Sequence, residues 1–226
     1  MISFNIIPVG SYCVNCVVAS LGGRCIVVDP GQDADAIKGV IGKHGLKPIA
    51  AVLTHGHFDH IGGVPGLLAA YPGLPVYAHP SDWPMLGHPM NQMPPDYPSV
   101  PRPDGLRDVR EIAGDFAEFG IRVLPIQADV NAQADNQAVV KAAVDQVMAE
   151  FGRIDALVNN AQASASGVTI ADHTTAQFDL ALYSGLYAAF YYMQACYPYL
   201  KETKGSVINF ASGAGLFGNF GQCAYA

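Results

Sequence analysis

Apolar residues come in short runs over the first third of the chain. Ile2–Ile7, Val14–Ala19 and Arg24–Val28 are rich in branched residues and are predicted to be β-strands. Asp33–His44 carries Ile37, Val40 and Ile41 on one helical face. Ile49–Leu53 is an unbroken apolar run, the pattern of a buried strand. Val64–Ala70 predicts a short helix, and Pro75–Ala78 a further short strand. Beyond residue 105 the pattern becomes more regular. Arg107–Phe119 is predicted helical and Ile121–Gln127 a strand. Asn136–Phe151 is helical, with Val140, Val144, Val147, Met148 and Phe151 as its apolar stripe. Ile154–Asn159 is a strand, Thr174–Leu200 mostly helix, and Ser206–Phe210 a strand. Strands and helices alternating at this spacing imply parallel βαβ units. The fold class is α/β, with no internal repeat.

Composition shifts where the pattern does. Fourteen of the sixteen prolines precede residue 104, and only Pro125 and Pro198 follow. Six of the seven histidines precede residue 89, leaving His173 alone. Alanine becomes dense after about residue 110. The run Met93–Gly105 holds repeated prolines, which sustain neither helix nor central strand, and reads as a linker. These shifts place a seam near Gly105–Asp108 and two segments, 1–105 and 106–226.

Charge and composition exclude several classes. Net charge is −7 with no basic block, which argues against a nucleic-acid footprint. Phe178–Tyr192 is the nearest thing to an apolar span, and it is short and tyrosine-rich, so no membrane span is expected. The start, Met1–Asn5, lacks the charged and apolar regions of a signal peptide. Five cysteines, an odd count, do not suggest a disulfide scaffold. A cytoplasmic protein is expected.

The densest chemistry is Thr54-His55-Gly56-His57-Phe58-Asp59-His60, directly after the strand Ile49–Leu53. Imidazole and carboxylate are ligands for zinc and similar ions. At a strand end His55 and His57, two apart, point the same way and reach one ion. Asp59 and His60 turn onto a second position. Two ions sharing a bridging water of lowered pKa hydrolyse esters, thioesters, amides or phosphoesters. Cys13-x-x-Cys16 has no second pair and reads as core or edge-strand thiols rather than half a zinc site. Asp29 reads as a turn-forming or supporting carboxylate.

Residues 1–100 resemble the metallo-β-lactamase-fold hydrolases, especially small glyoxalase II-like members. The resemblance rests on Thr54–Gly63, Asn15-Cys16, Val28-Asp29-Pro30-Gly31, Tyr77-Ala78-His79-Pro80 and Asn91-Gln92. It implies that His55 and His57 bind the first metal and Asp59 and His60 the second, with zinc, iron or manganese as the ion. It also implies that Asp59 orients the attacking water. The family completes its site with a further His, a bridging Asp and a last His from a second half. No such residues follow residue 105 in a family context.

Residues 107–226 resemble instead the short-chain dehydrogenases/reductases. Ile121–Val130 resembles their third strand, ending in Asp129 and Val130 beside the adenine. Ile154–Ala161 resembles the fourth strand and its turn, with Asn159 and Ala161 at the cofactor and Gln162 in place of the usual Gly. Ser206–Ser212 resembles the fifth strand. The resemblance implies Ser212 and Tyr225 as catalytic residues around an NAD(P) cofactor. Gly185 stands where the family has a catalytic Asn. The family's first strand, phosphate loop and second strand do not precede this segment, and its Lys four residues after Tyr225 falls past Ala226. The run Gly213-Ala214-Gly215-Leu216-Phe217-Gly218 fits G-x-G-x-x-G, but its place after Ser212 makes it a loop following the fifth strand.

The chain thus reads as a chimera: a metallo-β-lactamase-like half joined to a Rossmann-like parallel βαβ segment. The expected function is a metal-binding, hydrolase-like protein for small-molecule esters, thioesters or lactones. Its dinuclear site is incomplete and its turnover weak or absent. An NAD(P)-dependent oxidoreductase fragment and a non-catalytic scaffold are the alternatives. Either the two pieces cover each other's open sheet faces, or those faces are expected to drive self-association.

Overall fold

A computed structural model describes residues 2–89, 91, 99–117, 120–131 and 135–226. Gln92, Phe119 and the expected linker from Met93 to Pro98 lie outside the described residues. The chain divides into two compact units, Met1–Val123 and Leu124–Ala226.

The first unit is built on one sheet in sequence order. Strand β1 (Ser3–Val9) pairs antiparallel with β2 (Val14–Leu21), which pairs antiparallel with β3 (Arg24–Val28). From β3 onward the pairing is parallel, through β4 (Lys47–Val52), β5 (Val76–Ala78) and β6 (Arg107–Asp108). Helix α1 (Ala34–Lys43) crosses from β3 to β4. Helices α2 (Phe58–Ile61) and α3 (Val64–Ala70) cross from β4 to β5. The period-2 pattern of the strands and the 3.6-residue pattern of α1 meet in one core. Val9, Cys16, Val18, Cys25, Val27 and Ala51 pack with Ile37, Ile41, Val64 and Leu67. Ile37 and Ile41 are essentially inaccessible, and each such side chain contributes roughly 1.5–3 kcal/mol.

Among the described residues of this unit, the opposite face of the sheet has its own cover beside β4 and β5. Ala50, Tyr77 and Phe116 form a second cluster there, backed by Ile112, Ile121 and Val123. Phe4 and Ile6 of β1 stay exposed.

The first compact unit extends to Val123, and its last residues are held by specific contacts. Arg107 and Asp108 register against Tyr77 and Ala78 as a sixth strand. The helix α4 (Ile112–Ala117) then buries Phe116 edge-on to the Tyr77 ring, with centroids 6.0 Å apart. Asp115 accepts hydrogen bonds from Tyr77 Oη (2.6 Å) and Arg107 Nη1 (2.7 Å). So residues 106–123 are held by the first unit's own side chains.

Two sequence expectations change here. Arg107–Phe119 is not one helix, because its first two residues are drawn into the sheet ladder and Val109–Glu111 is a 3-10 turn. Ile121–Gln127 is not a strand. Ile121 and Val123 spend their apolar side chains on the Tyr77 cluster, and the segment straddles the unit boundary without a ladder partner.

The second unit follows its predicted alternation. Helix α5 (Asn136–Phe151) leads to strand β7 (Ala156–Asn159). Helix α6 (Thr175–Ala181) opens with Thr174 and Gln177 in a reciprocal capping box, then passes through a π-helical turn (Leu182–Tyr187) into helix α7 (Ala188–Thr203). Strand β8 (Ser206–Asn209) pairs parallel with β7, residue for residue, and a short helix α8 (Ala214–Phe217) follows. Val144 of α5, Ile154, and Cys196 and Leu200 of α7 form a separate small core. Among the described residues no helix is long and apolar enough to cross a membrane.

Candidate functional site

Parallel pairing of β3 and β4 brings their carboxyl ends side by side, and the histidine cluster stands there. The Asp29 N–H donates to Val52 O (2.9 Å), and the Leu53 N–H to Tyr77 O (2.8 Å). Thr54 therefore emerges next to Asp29. Asp29 is buried at 5% exposure and adopts a left-handed backbone (φ 48°), a conformation that Asp tolerates better than most residues.

The Asp29 carboxylate is the hub of the site. Oδ1 accepts from the Thr54 N–H (2.7 Å), and Oδ2 accepts from the Thr54 hydroxyl (2.6 Å). The same Oδ2 lies 3.0 Å from His60 Nδ1. A carboxylate only accepts, so His60 Nδ1 carries the proton. The Thr54 hydroxyl has given its hydrogen to Asp29, so it accepts from His55 Nδ1 at 3.0 Å. One carboxylate thus fixes the neutral tautomers of two imidazoles with the proton on Nδ1, the tautomer that presents Nε2 to a metal.

The imidazoles sit close together. The His55 ring centroid is 4.6 Å from that of His57 and 4.1 Å from that of His60. His60 Nε2 lies 3.8 Å from Asp59 Oδ2. Two donors at ordinary coordination distances of about 2.1 Å span a gap of that size around one ion. Asp29, His55 and His60 also offer ligand-type atoms all within 4.8 Å of one another. Burial, with the neighbouring His60 and His57, pulls the His55 imidazolium down to about 4. At His60 burial also disfavours the charge, but the hydrogen bond and charge of Asp29, helped by Asp59, outweigh it and raise the pKa. The cluster thus holds an uncharged, ligand-ready imidazole beside one that is strongly hydrogen-bonded.

Local sequence explains this placement. His57 has an extended backbone and serves as the N-cap of α2, so His55 and His57 lie on the loop before the helix while Asp59 and His60 lie on its first turn. The chain then returns over Gly62 and Gly63, whose N–H donates to Pro30 O (2.8 Å). Cys13 is exposed while Cys16 is fully buried, its thiol pushed up to about 12 by burial and then by the Asp29 charge. Cys16 therefore belongs to the core. His79 accepts from the Ser81 N–H.

The dehydrogenase-like candidates lie in the second unit. Asp129 is exposed, and its Oδ1 accepts from the Asn131 N–H (3.0 Å). Val130 O accepts from Asn136 Nδ2 (2.7 Å), a buried amide that also donates to Tyr183 O (2.8 Å) in the π-helical turn. Asn159 and Asn209 end the two parallel strands joined by their side chains, Nδ2 to Oδ1 at 2.8 Å. Ala161 follows β7 on the exposed loop. Ser212 Oγ accepts from the Ala214 N–H (3.2 Å) at the start of α8. Among the described residues no hydrogen bond joins Ser212 and Tyr225. Leu216 and Phe217 of the glycine-rich run are exposed at 81% and 88% on a four-residue helix.

Two departures from the family pattern share one place. Gln162 lays its side chain over Gly185, where an added Cβ would stand 2.9 Å from Gln162 Cδ. The neighbouring Ser184, 2% exposed, anchors the same loop to the π-helical turn. Its Oγ accepts from the Ala163 N–H (2.9 Å) and donates to Leu180 O (2.6 Å). Ser184→Ala leaves that amide without its partner and is expected to destabilise the second unit by about 1–2 kcal/mol, read as a lowered thermal midpoint.

Comparison with known proteins matches each segment separately. The model of the Metallo-beta-lactamase superfamily matches residues 12–133, and that of the short chain dehydrogenases matches residues 105–226. A 12alpha-hydroxysteroid dehydrogenase from Clostridium sp. is 66% identical over 108 residues, 48% of this chain and 42% of that protein. A hydroxyacylglutathione hydrolase from Enterobacter sp. is 49% identical over 61 residues, 27% of this chain and 24% of that protein. The crystal structure of the BLEG-1 B3 metallo-beta-lactamase aligns over 46% of this chain and 53% of its own, with 32% identity and a TM-score of 0.42. The chain therefore spans less than half the length of the curated relatives it matches.

Proposed function

Because the chain belongs to the metallo-beta-lactamase superfamily in its first half and to the short chain dehydrogenases in its second, we propose that its working site is the histidine cluster, a divalent-metal site for hydrolysing small thioesters or esters. The observation that carries this reading is the Asp29–Thr54 network, which directs the protons of His55 and His60 to Nδ1 and leaves Nε2 of both for an ion. The donor set fits zinc, iron or manganese: imidazole nitrogens from His55, His57 and His60, and a carboxylate from Asp59. A bound ion there supplies a water of lowered pKa and polarises the scissile carbonyl. Asp59, 21% exposed at its side chain, would orient that water. The relative named for hydroxyacylglutathione supports a thioester as the first substrate class to try. All five cysteines are free thiols, which supports placing the protein in the reducing cytoplasm.

Metal content per chain, measured on a monodisperse peak by elemental mass spectrometry, tests this directly. Wild type is expected to carry zinc, iron or manganese, and His55→Ala with His57→Ala to abolish it. Equal metal in the double variant would refute the assignment.

A second reading, nicotinamide-nucleotide binding by the second unit, is favoured by the 66% identity to the steroid dehydrogenase. The residues present fit it poorly. Asp129 Oδ1 and Asn159 Nδ2 are committed to protein partners, and the glycine-rich run forms a four-residue helix rather than a phosphate cradle. Titrating NAD(H) or NADP(H) by fluorescence separates the two readings.

A further inference from the structure

His57 differs from the other members of the cluster. His55 and His60 are oriented through their rings by Thr54 and Asp29. His57 has no such partner in that network, yet its backbone is held on both sides by one distant side chain. Asn91, 6% exposed, donates from Nδ2 to Gly56 O (2.6 Å) and accepts at Oδ1 from the Phe58 N–H (2.8 Å). The same Nδ2 donates to Met85 O (3.0 Å), so the carboxamide ties the loop to the 3-10 segment Pro80–Met85. Asp82 of that segment accepts from the Gly56 N–H (3.1 Å). Approach is close enough that a Cβ on Gly56 would stand 3.1 Å from Asp82 O and 3.2 Å from Met85 Cβ.

We infer that Asn91 is a positioning residue for metal binding, acting through His57: its carboxamide brackets the His57 peptide units and sets where that imidazole meets the ion. The inference rests on the metal-site reading above. Its chemistry needs both functions of the amide. A carboxylate in its place keeps the acceptor for Phe58 N–H but sets an oxygen against the carbonyls of Gly56 and Met85. Asn91→Asp preserves volume and isolates this loss.

The test is a cobalt(II) titration of the full chain, followed by d–d absorption, in four proteins: wild type, Asn91→Asp, His57→Ala and the double variant. Asn91→Asp is expected to weaken cobalt binding about 10–100-fold, the usual effect of removing a group that orients a ligand. It should also shift the d–d band. With His57 already gone, the same change should cost little more, because the two act as one unit. Equal losses in both backgrounds, or no loss in wild type, would overturn the inference while leaving the metal site standing. Asn91→Gln, which keeps donor and acceptor but moves them outward, should fall between wild type and Asn91→Asp, and equal binding by the two variants would also count against it. Failure of wild type to bind cobalt would overturn the metal-site reading, and this inference with it.

Discussion

Asp29→Ala is expected to lower stability by about 3–5 kcal/mol, because it strips a buried carboxylate from three donors at once. The Thr54 N–H, the Thr54 hydroxyl and His60 Nδ1 all lose their acceptor, and no described neighbour replaces it. With Asp29 gone, nothing holds the proton of His60 on Nδ1, and the Thr54 hydroxyl is free to rotate away from His55. Zinc affinity is expected to fall about 10–100-fold or more. Asp29→Asn restores the shape but not the chemistry, since an amide offers one acceptor oxygen where the carboxylate offers two. It should therefore recover part of the stability and little of the affinity. Denaturant unfolding and a competitive zinc titration on both variants check this. Wild-type affinity in Asp29→Ala would mean the network is structural only.

The second large effect is steric. Gly31 lies under the backbone of the helix that carries Asp59 and His60. A Cβ at Gly31 would stand 2.4 Å from the Asp59 carbonyl oxygen and 2.7 Å from Val9 Cγ2. A Cβ at Gly63 would stand 2.3 Å from the Gly31 carbonyl oxygen. The two carbonyl oxygens are backbone obstacles, which cannot swing aside as a side-chain tip can. Gly31→Ala is expected to cost about 3 kcal/mol, the upper end of ordinary overpacking, and to displace Asp59 with the metal water it is proposed to orient. The measurement is unfolding by denaturant together with cobalt(II) binding. The expected signature is weakened cobalt binding in protein that is still folded well below its midpoint, because relief of the clash moves Asp59 first.

Much of this is legible in the amino-acid sequence itself. The regular elements were legible because their side-chain periods are strong: Ile37 and Ile41 mark one face of α1, and Val140 and Val144 mark α5. The histidine cluster was legible because its imidazoles and carboxylate lie in one run, His55–His60. What supports it was not. Asp29 is visible in sequence as part of a turn, but its role depends on Thr54 and His60, brought near by parallel pairing of β3 and β4. Asn91 and Asp82 reach the His57 loop from beyond α3 and β5; Asn91 is visible in sequence only as part of a family-like pair, and neither residue's hold on the loop is marked locally. The strand expected at Ile121–Gln127 failed for a related reason. Period alone specifies which face is apolar, not whether a ladder partner is present, and Ile121 and Val123 found the Tyr77 cluster instead. The π-helical turn at Leu182–Tyr187 was equally hidden, because Ser184 stabilises it through the distant loop at Ala163.

The two-stranded parallel sheet of the second unit has a kinetic consequence. Ala156–Asn159 meets Ser206–Asn209 only after the whole chain from Asn160 to Gly205 has been closed into a loop. Closing such a loop costs entropy before any ladder hydrogen bond repays it, and each doubling of its length adds about 0.6 kcal/mol. A four-residue ladder returns little against that cost. The helices α5 and α7, which share the core of Val144, Cys196 and Leu200, therefore have to dock first and shorten the search. The strand pair is then expected to form after that docking and to exchange its amide protons before those of α5 and α7.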